Sequence, residues 1–334
     1  MISCLRRAGV DVHEEHVGVW EGNRQAWRAG PLRALRLAAA EVRLLGRRPP
    51  AFDAIIVGYP GHFDLPAARR AARGRPVVFN PLVSLADTFV SDRKRFRAGS
   101  PVARALEEVD RRAFRAADVV VADTAAQSQF FAELAGIDDV PVCYVGAEER
   151  LFRPRWQRPK RFRVLFVGKL IPLQGVETIL AAARLAPELD FRIVGSGQLD
   201  HLLRSRPPNV EHMPWLEYDA LPGEIHRAGC VLGIFGTSAK AARVIPNKAF
   251  QALACAAPLV TGDTPAAREL LTDGDSALLV PPGDPQALAE AIRRIAAESD
   301  LAERLGRSGR ARYEQEASEE VLGRRWRELV DRLL

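Results

Sequence analysis

Four cysteines are all the 334-residue chain contains, and Cys4, Cys143, Cys230 and Cys255 are widely spaced with no CxxC pair. This excludes a small disulfide scaffold and a cysteine zinc site, and it predicts free thiols in a reducing compartment. The six histidines never cluster, so no metal centre is expected. No apolar run approaches the roughly 18 residues of a membrane span. The opening residues MISCLRRAGVDV lack the apolar centre of a signal peptide. The expectation is a cytoplasmic protein.

The composition itself is globular, with 47% hydrophobic and 27% charged residues, and the length suffices for two domains. The net charge of +6 is local. Residues 22–50, GNRQAWRAGPLRALRLAAAEVRLLGRRPP, hold seven arginines against Glu41, which by itself equals that excess. On a helix opening at Pro31, the residues Arg33, Arg36, Arg43 and Arg47 share one face. Leu35, Ala39, Val42 and Leu45 share the other. One reading is a solvated helix docked on its own domain. The other is a surface that rests on anionic lipid heads at the inner face of the membrane. No aromatic platform accompanies the arginines, so nucleic acid is not expected as a partner.

Short β-rich runs alternate with helical patterns in both halves. In the first half they are VDVHEEHV, FDAIIVGYP, RPVVFNP, ADVVVAD and VPVCYVGA. In the second they are FRVLFVG, DFRIVG, NVEHMPW, CVLGIFG, APLVTGD and SALLVPP. Their Val, Ile and Phe content suits strands buried on both faces of a parallel sheet. The intervening helical segments, such as GVETILAAARLAPEL and DPQALAEAIRRIAAES, complete βαβ units. Asp284 followed by Pro285 is a helix start. Residues 149–163, ERLFRPRWQRPKRFR, read as a linker. The fold class is therefore α/β, two doubly wound Rossmann-like domains facing each other across a cleft. Residues 1–154 form the first and 155–315 the second. An amphipathic helix follows at 316–334.

In such sheets, ligands bind outside the carboxyl ends of the strands. In the second domain those positions are Gly168-Lys169, Gly195-Ser196-Gly197, Gly236-Thr237-Ser238 and Thr261-Gly262-Asp263. Asn247 and Lys248 fall in the first turn of a helix at 246–255, and Gln251 is four and three residues further along, on the same face. A lysine beside a helix N-terminus makes an anion site, and Lys169 supplies a second cation. Two cations and a helix end suit a diphosphate.

These residues carry a resemblance. FRVLFVGKLIPLQGVETILAAA, then FRIVGSGQ, then PNKAFQALACAAPLVTGDTPAARELLTDGDSALLVPPGDPQALAEAI resemble the retaining GT-B glycosyltransferases of the family 4 type, in order over 161–297. ADVVVADTAAQSQFFAELAG and VCYVGAEERLFRP look like the same family's first domain. The resemblance implies sugar transfer from a nucleotide-sugar donor with retention and without a metal or other cofactor. It also implies that the second domain holds the donor and the first the acceptor, and that the last helix crosses back to the first domain.

Position by position the match departs from the family. The usual Arg and Lys that neutralise the diphosphate are here Lys169 and Gln174. The two usual glutamates, with seven residues between them, are here Arg243 and Gln251. The hypothesis that follows makes Arg243 and Lys248 together the counter-ions of the leaving diphosphate, with Gly168, Gly197, Asn247, Gln251 and Glu269 as donor contacts. In the first domain, the resemblance points to His62 of VGYPGHFDLP near the transferred sugar. Asp87 or Asp92 of NPLVSLADTFVSDR is a candidate to orient the acceptor hydroxyl, with helix capping as the alternative. The family's first strand and glycine-rich loop normally precede a segment like ISCLRRAGVDV, whereas Met1 here lies within the first helix. A start further upstream, or a rearranged first domain, is the expectation. The function implied is glycosyl transfer to a glycan, lipid-linked or cell-envelope acceptor. The alternatives are a degenerate relative that binds nucleotide-sugar or glycan without turnover, and a GT-B relative of other chemistry such as a nucleotide-sugar epimerase.

Overall fold

The structure is a computed structural model and describes residues 1–18, 31–47 and 49–334. Its second half is built on six parallel strands, β4 (Arg163–Val167), β5 (Asp190–Val194), β6 (Val210–Met213), β7 (Cys230–Leu232), β8 (Leu259–Gly262) and β9 (Leu278–Val280). They lie in the order β6-β5-β4-β7-β8-β9. The chain therefore runs outward from β4 to β6, then returns to the other side of β4 at β7. That reversal makes the carboxyl ends of β4 and β7 the switch point where a ligand crevice opens.

Period-two alternation of apolar side chains lets both faces of this sheet be covered. Val164, Phe166, Leu232 and Val260 meet α6 (Val176–Leu185) and α11 (Pro285–Ala297) through Ile179, Leu180, Leu288 and Ile292. Leu165, Val231 and Leu259 meet Phe250, Leu253 and Tyr313, from α9 (Asn247–Ala254) and α12 (Ser299–Glu316). The Asp284-Pro285 start of α11 forms as its chemistry requires, with Asp284 Oδ1 accepting from Ala287 N at 2.9 Å.

The first half contains three parallel strands among the described residues, β1 (Ile55–Val57), β2 (Val77–Phe79) and β3 (Val119–Val120), in that order. Around them pack α3 (Leu65–Ala72), α4 (Pro101–Ala116) and α5 (Ala125–Ala135). Two expected strands are not formed. VDVHEEHV runs without a ladder, because consecutive His13, Glu14 and Glu15 leave no apolar face; Glu14 and Glu15 instead pair with Arg6 and Arg47. VPVCYVGA contributes a single bridge, Ala122 to Val142. The last helix, α13 (Glu319–Asp331), lies on the first domain, where Leu322 and Trp326 pack with Cys4, Leu5, Val78, Val121 and Cys143. Gly323 is needed there because a Cβ would run into the Cys4 carbonyl of α1 (Ile2–Arg7).

Helix α2 (Pro31–Gly46) is rotated from the expected orientation. Ala40 is buried and Glu41 turns inward to hydrogen-bond Asp64, while Val42 and Leu45 are 67% and 36% exposed. The Glu41–Asp64 contact thus sets the docked face, and the Ala39, Val42 and Leu45 strip faces solvent with Arg36, Arg43 and Arg47. Residues 19–30 and Arg48 of the basic stretch, and the side chains of Arg33 and Leu35, lie outside the described residues. No helix among the described residues is long and apolar enough to cross a membrane.

Candidate active site at the interdomain cleft

The loops after β4, β5 and β7 interlock at the switch point. A Cβ at Gly195, whose φ is +133°, would collide with the Gly168 carbonyl. One at Gly197 would lie 2.6 Å from Leu170 O, so glycine is what lets these backbones touch. Lys248 rises beneath them from the first turn of α9. It is 6% exposed, and its Nζ donates to the Gln174 side-chain oxygen and to Gly233 O, the latter at 3.3 Å. The ammonium also sits 3.9 Å from the centre of the Phe166 ring, and a Cβ at Gly168 would be 3.0 Å from it. No carboxylate pairs with it among the described residues, and burial pushes its pKa well below the usual lysine range. The Lys248 amine therefore lies directly beside Gln174, the position at which the resemblance leads one to expect a lysine.

The other expected donor residues are arranged unequally. Asn247 is exposed at the helix start, whereas Gln251 is buried and hydrogen-bonds Tyr218. Lys169 is exposed on the cleft edge, and its pKa is lowered by desolvation and by the like charge of Arg93 from the first domain. No three His, Cys, Asp or Glu side chains among the described residues converge on a point where a metal ion would fit.

Arg243 turns away from Lys248. Its guanidinium pairs with Asp87 at 2.8 Å and lies 4.0 Å over the Phe130 ring, and its carbonyl accepts from Thr124 Oγ1 at 2.5 Å. It is thus committed to the first domain, and the expectation that it joins Lys248 as a diphosphate counter-ion is corrected. A buried guanidinium holds to the nearest carboxylate because desolvation makes separation costly. Asp87, expected to face an acceptor hydroxyl, is the partner. Asp92 receives Leu173 N at 2.9 Å, and Lys240 donates to Thr88 Oγ1 at 2.6 Å. Glu269 likewise bridges the domains instead of facing a donor. Its carboxylate accepts from Ala125 N at 2.7 Å and Ala126 N at 3.0 Å, the free donors at the start of α5.

His62 does not line the cleft. Its ring is fully buried between Phe79 and Phe114, and its Nε2 lies 3.0 Å from Asp110 Oδ1. Asp110 also accepts from Ser84 Oγ, Leu85 N and Ala86 N at 2.6, 2.8 and 2.9 Å. Three hydrogen-bond donors around one buried carboxylate, with the His62 ring beside them, make a strut beneath the turn Asp87–Asp92. The sequence reasoning missed Arg93, Lys240 and Asp123 of this seam. Asp123 lies three residues beyond the end of β3, so the carboxyl-end rule applied to the first domain finds it. It is 6% exposed with Oδ1 unpartnered among the described residues, and burial, with Glu269 adding to it, raises its pKa to about 7.

Comparison with known proteins decides the family. Residues 161–298 match the family described as glycosyl transferases group 1, and residues 3–148 match the glycosyl transferase 4-like domain. The chain belongs to the family 4 type of GT-B glycosyltransferases. Among relatives of this GT-B protein, a D-inositol 3-phosphate glycosyltransferase of Thermomonospora curvata is 28% identical over 65% of this chain and 56% of its own. A phosphatidyl-myo-inositol mannosyltransferase of Mycobacterium leprae is 30% identical over 44% of this chain and 40% of its own. The chain thus spans about half the length of these curated relatives. The GT-B fold is shared with sucrose-phosphate synthase from Thermosynechococcus elongatus, at a TM-score of 0.72 and 18% identity over 92% of this chain and 82% of that one. It is shared also with Anabaena HepE in complex with UDP and glucose, at 0.69 and 18% over 91% and 83%.

Proposed function

We propose that this GT-B protein transfers a sugar from a nucleotide-sugar donor to a glycan or lipid-linked acceptor of the cell envelope, with retention and without a metal. The observation that carries the reading is the Lys248 side chain, buried at the switch point with a side-chain amide oxygen, a backbone carbonyl and a ring for company and no carboxylate among the described residues. Such a cation is poised for an anionic ligand, and the diphosphate of a donor is one. Bond cleavage leaves charge on that diphosphate, so a fixed cation beside it favours the transition state. Lys169 adds a second positive charge at the rim, while Gly168 and Gly197 allow close backbone approach. Asn247 at the helix start and Gln251 complete the donor side. The names of the relatives support the class, since they include an inositol-phosphate glycosyltransferase, a phosphatidylinositol mannosyltransferase and a capsular polysaccharide glycosyltransferase. Related folds solved with UDP or UDP-glucose support the donor type.

The exposed Val42 and Leu45, with Arg36, Arg43 and Arg47 nearby, fit a protein that rests on anionic lipid while it acts on such an acceptor. Cosedimentation with anionic vesicles that persists unchanged after all three arginines become glutamate contradicts that placement.

Incubation of the chain with a panel of nucleotide sugars, with and without Mg²⁺, tests the reaction. Metal-independent release of nucleoside diphosphate, dependent on acceptor and giving a product of unchanged anomeric configuration, is the expected result. The alternative reading, donor binding without turnover, is favoured by the engagement of Arg243 with Asp87 at a position where the family has a glutamate. Tight donor binding with no product under any acceptor selects it.

A further inference from the structure

The turn Asp87–Asp92 ends at Arg93, on the first domain's rim of the cleft. Its backbone is held from the second domain, because Arg93 O accepts from Gln198 Nε2 at 3.3 Å and the preceding Asp92 accepts from Leu173 N at 2.9 Å. Arg93 therefore stands against the loops after β4 and β5, which carry Gly168-Lys169 and Gly195–Gln198. Its guanidinium lies 5.7 Å from the centre of the Phe89 ring, and Nε is buried with no hydrogen-bond partner among the described residues.

The charges around it do not balance. Lys169 and Lys240 both experience Arg93 as a like charge. Of the nearby carboxylates, Asp87 pairs with Arg243, and Asp92, which also accepts from the Leu173 amide, is the one negative charge shared between Arg93 and Lys240. Cations presented from opposite domains repel in a partly desolvated cleft, and an anion between them converts that repulsion into attraction on both sides. A guanidinium offers a planar fork that matches phosphate oxygens, and the unpartnered Nε is part of that fork.

We propose that Arg93 is a first-domain ligand of the donor's diphosphate, closing over it from the side opposite Lys169 and Lys248. The inference rests on the nucleotide-sugar reading and adds to it a binding residue from the domain expected to hold the acceptor. Binding of the diphosphate then also ties the two domains together.

Calorimetric titration of the full chain with inorganic pyrophosphate, a panel of nucleoside diphosphates and the corresponding nucleosides tests it. Arg93→Ala is expected to weaken pyrophosphate and nucleoside diphosphate binding by about ten- to a hundredfold, with nucleoside affinity unchanged. Arg93→Lys recovers part of the loss, and Arg97→Ala, the removal of an exposed cation from the same segment, changes nothing. Added guanidinium ion partly restores the Arg93→Ala protein and leaves the wild type as it was. If the alanine variant does not fold, the lysine variant still has to bind diphosphate several-fold more weakly than the wild type. Wild-type affinity in either Arg93 variant, or an equal loss for nucleosides, overturns the proposal while the donor reading stands. A wild-type protein that binds none of the diphosphates overturns both.

Discussion

Lys248 is held where a lysine is unfavourable. Removing an ammonium from water costs several kcal/mol, and an amide oxygen, a distant carbonyl and an aromatic face compensate only in part. A neutral chain of similar volume avoids that cost, so Lys248→Met is expected to raise the melting temperature of the ligand-free protein by about 2–4 °C. The same variant is expected to bind nucleoside diphosphates at least tenfold more weakly. Scanning calorimetry and a binding titration on one preparation check both, and a variant that loses stability without losing affinity makes Lys248 an ordinary core residue. At this scale the sequence is informative about residue type and silent about partner. Gly168 was legible as a neighbour of a strand end, Lys248 in the first turn of a helix, and Gln174 only through the family resemblance. Arg243 was legible as a charge reversal, but its partner Asp87 is 156 residues away across the cleft, a distance that spacing does not encode.

The elements of the first domain are arranged around polar struts that no periodicity announces. His62 reads as a cleft residue because it follows a strand, yet the Asp110 carboxylate from α4 draws it into the core between two phenylalanines. Asp110→Ala strands Ser84 Oγ and two backbone amides beside the buried imidazole, and should cost about 3–5 kcal/mol in urea denaturation. His62→Ala removes a ring that lies beside Asp110 and packs on two phenylalanines, and should cost less. A cost under 1 kcal/mol for Asp110→Ala would show that the strut is dispensable. The second domain was easier to read, since most of its strands are apolar Val, Ile, Leu and Phe runs that alternate with helical patterns. The ladders that failed, at VDVHEEHV and VPVCYVGA, lack either an apolar face or a long enough neighbour.

For the molecule as a whole, the two domains are joined by a polar seam, comprising Asp87 with Arg243, Thr88 with Lys240, Asp92 with Leu173 and Glu269 with the start of α5. Glu269→Ala leaves Ala125 N and Ala126 N without their carboxylate and is expected to enlarge the radius of gyration in small-angle scattering, with little change in helix content. An unchanged radius means that the seam holds without this contact. Asp123 adds a pH dependence. The folded protein keeps its carboxyl protonated up to about pH 7, where an unfolded chain releases the proton near pH 4. More protons are bound in the folded state across that window, so stability falls as pH rises from about 4 to about 7 and levels off above. Glu41, desolvated and hydrogen-bonded to Asp64, is raised to about 7 and acts in the same sense. Asp123→Asn should flatten part of the slope and stabilise the protein at pH 8, which urea titrations at pH 5, 6, 7 and 8 measure directly.

Thermal stabilisation of the full chain by a panel of nucleoside diphosphates, with and without Mg²⁺, is the measurement that bears most directly on the donor site. A ligand at a hundredfold over its dissociation constant stabilises by about 2.7 kcal/mol. The expected result is a metal-independent rise in melting temperature with at least one diphosphate, abolished in Lys248→Ala. No rise with any diphosphate, or an equal rise in Lys248→Ala, contradicts the assignment of the donor site to the Lys248 crevice.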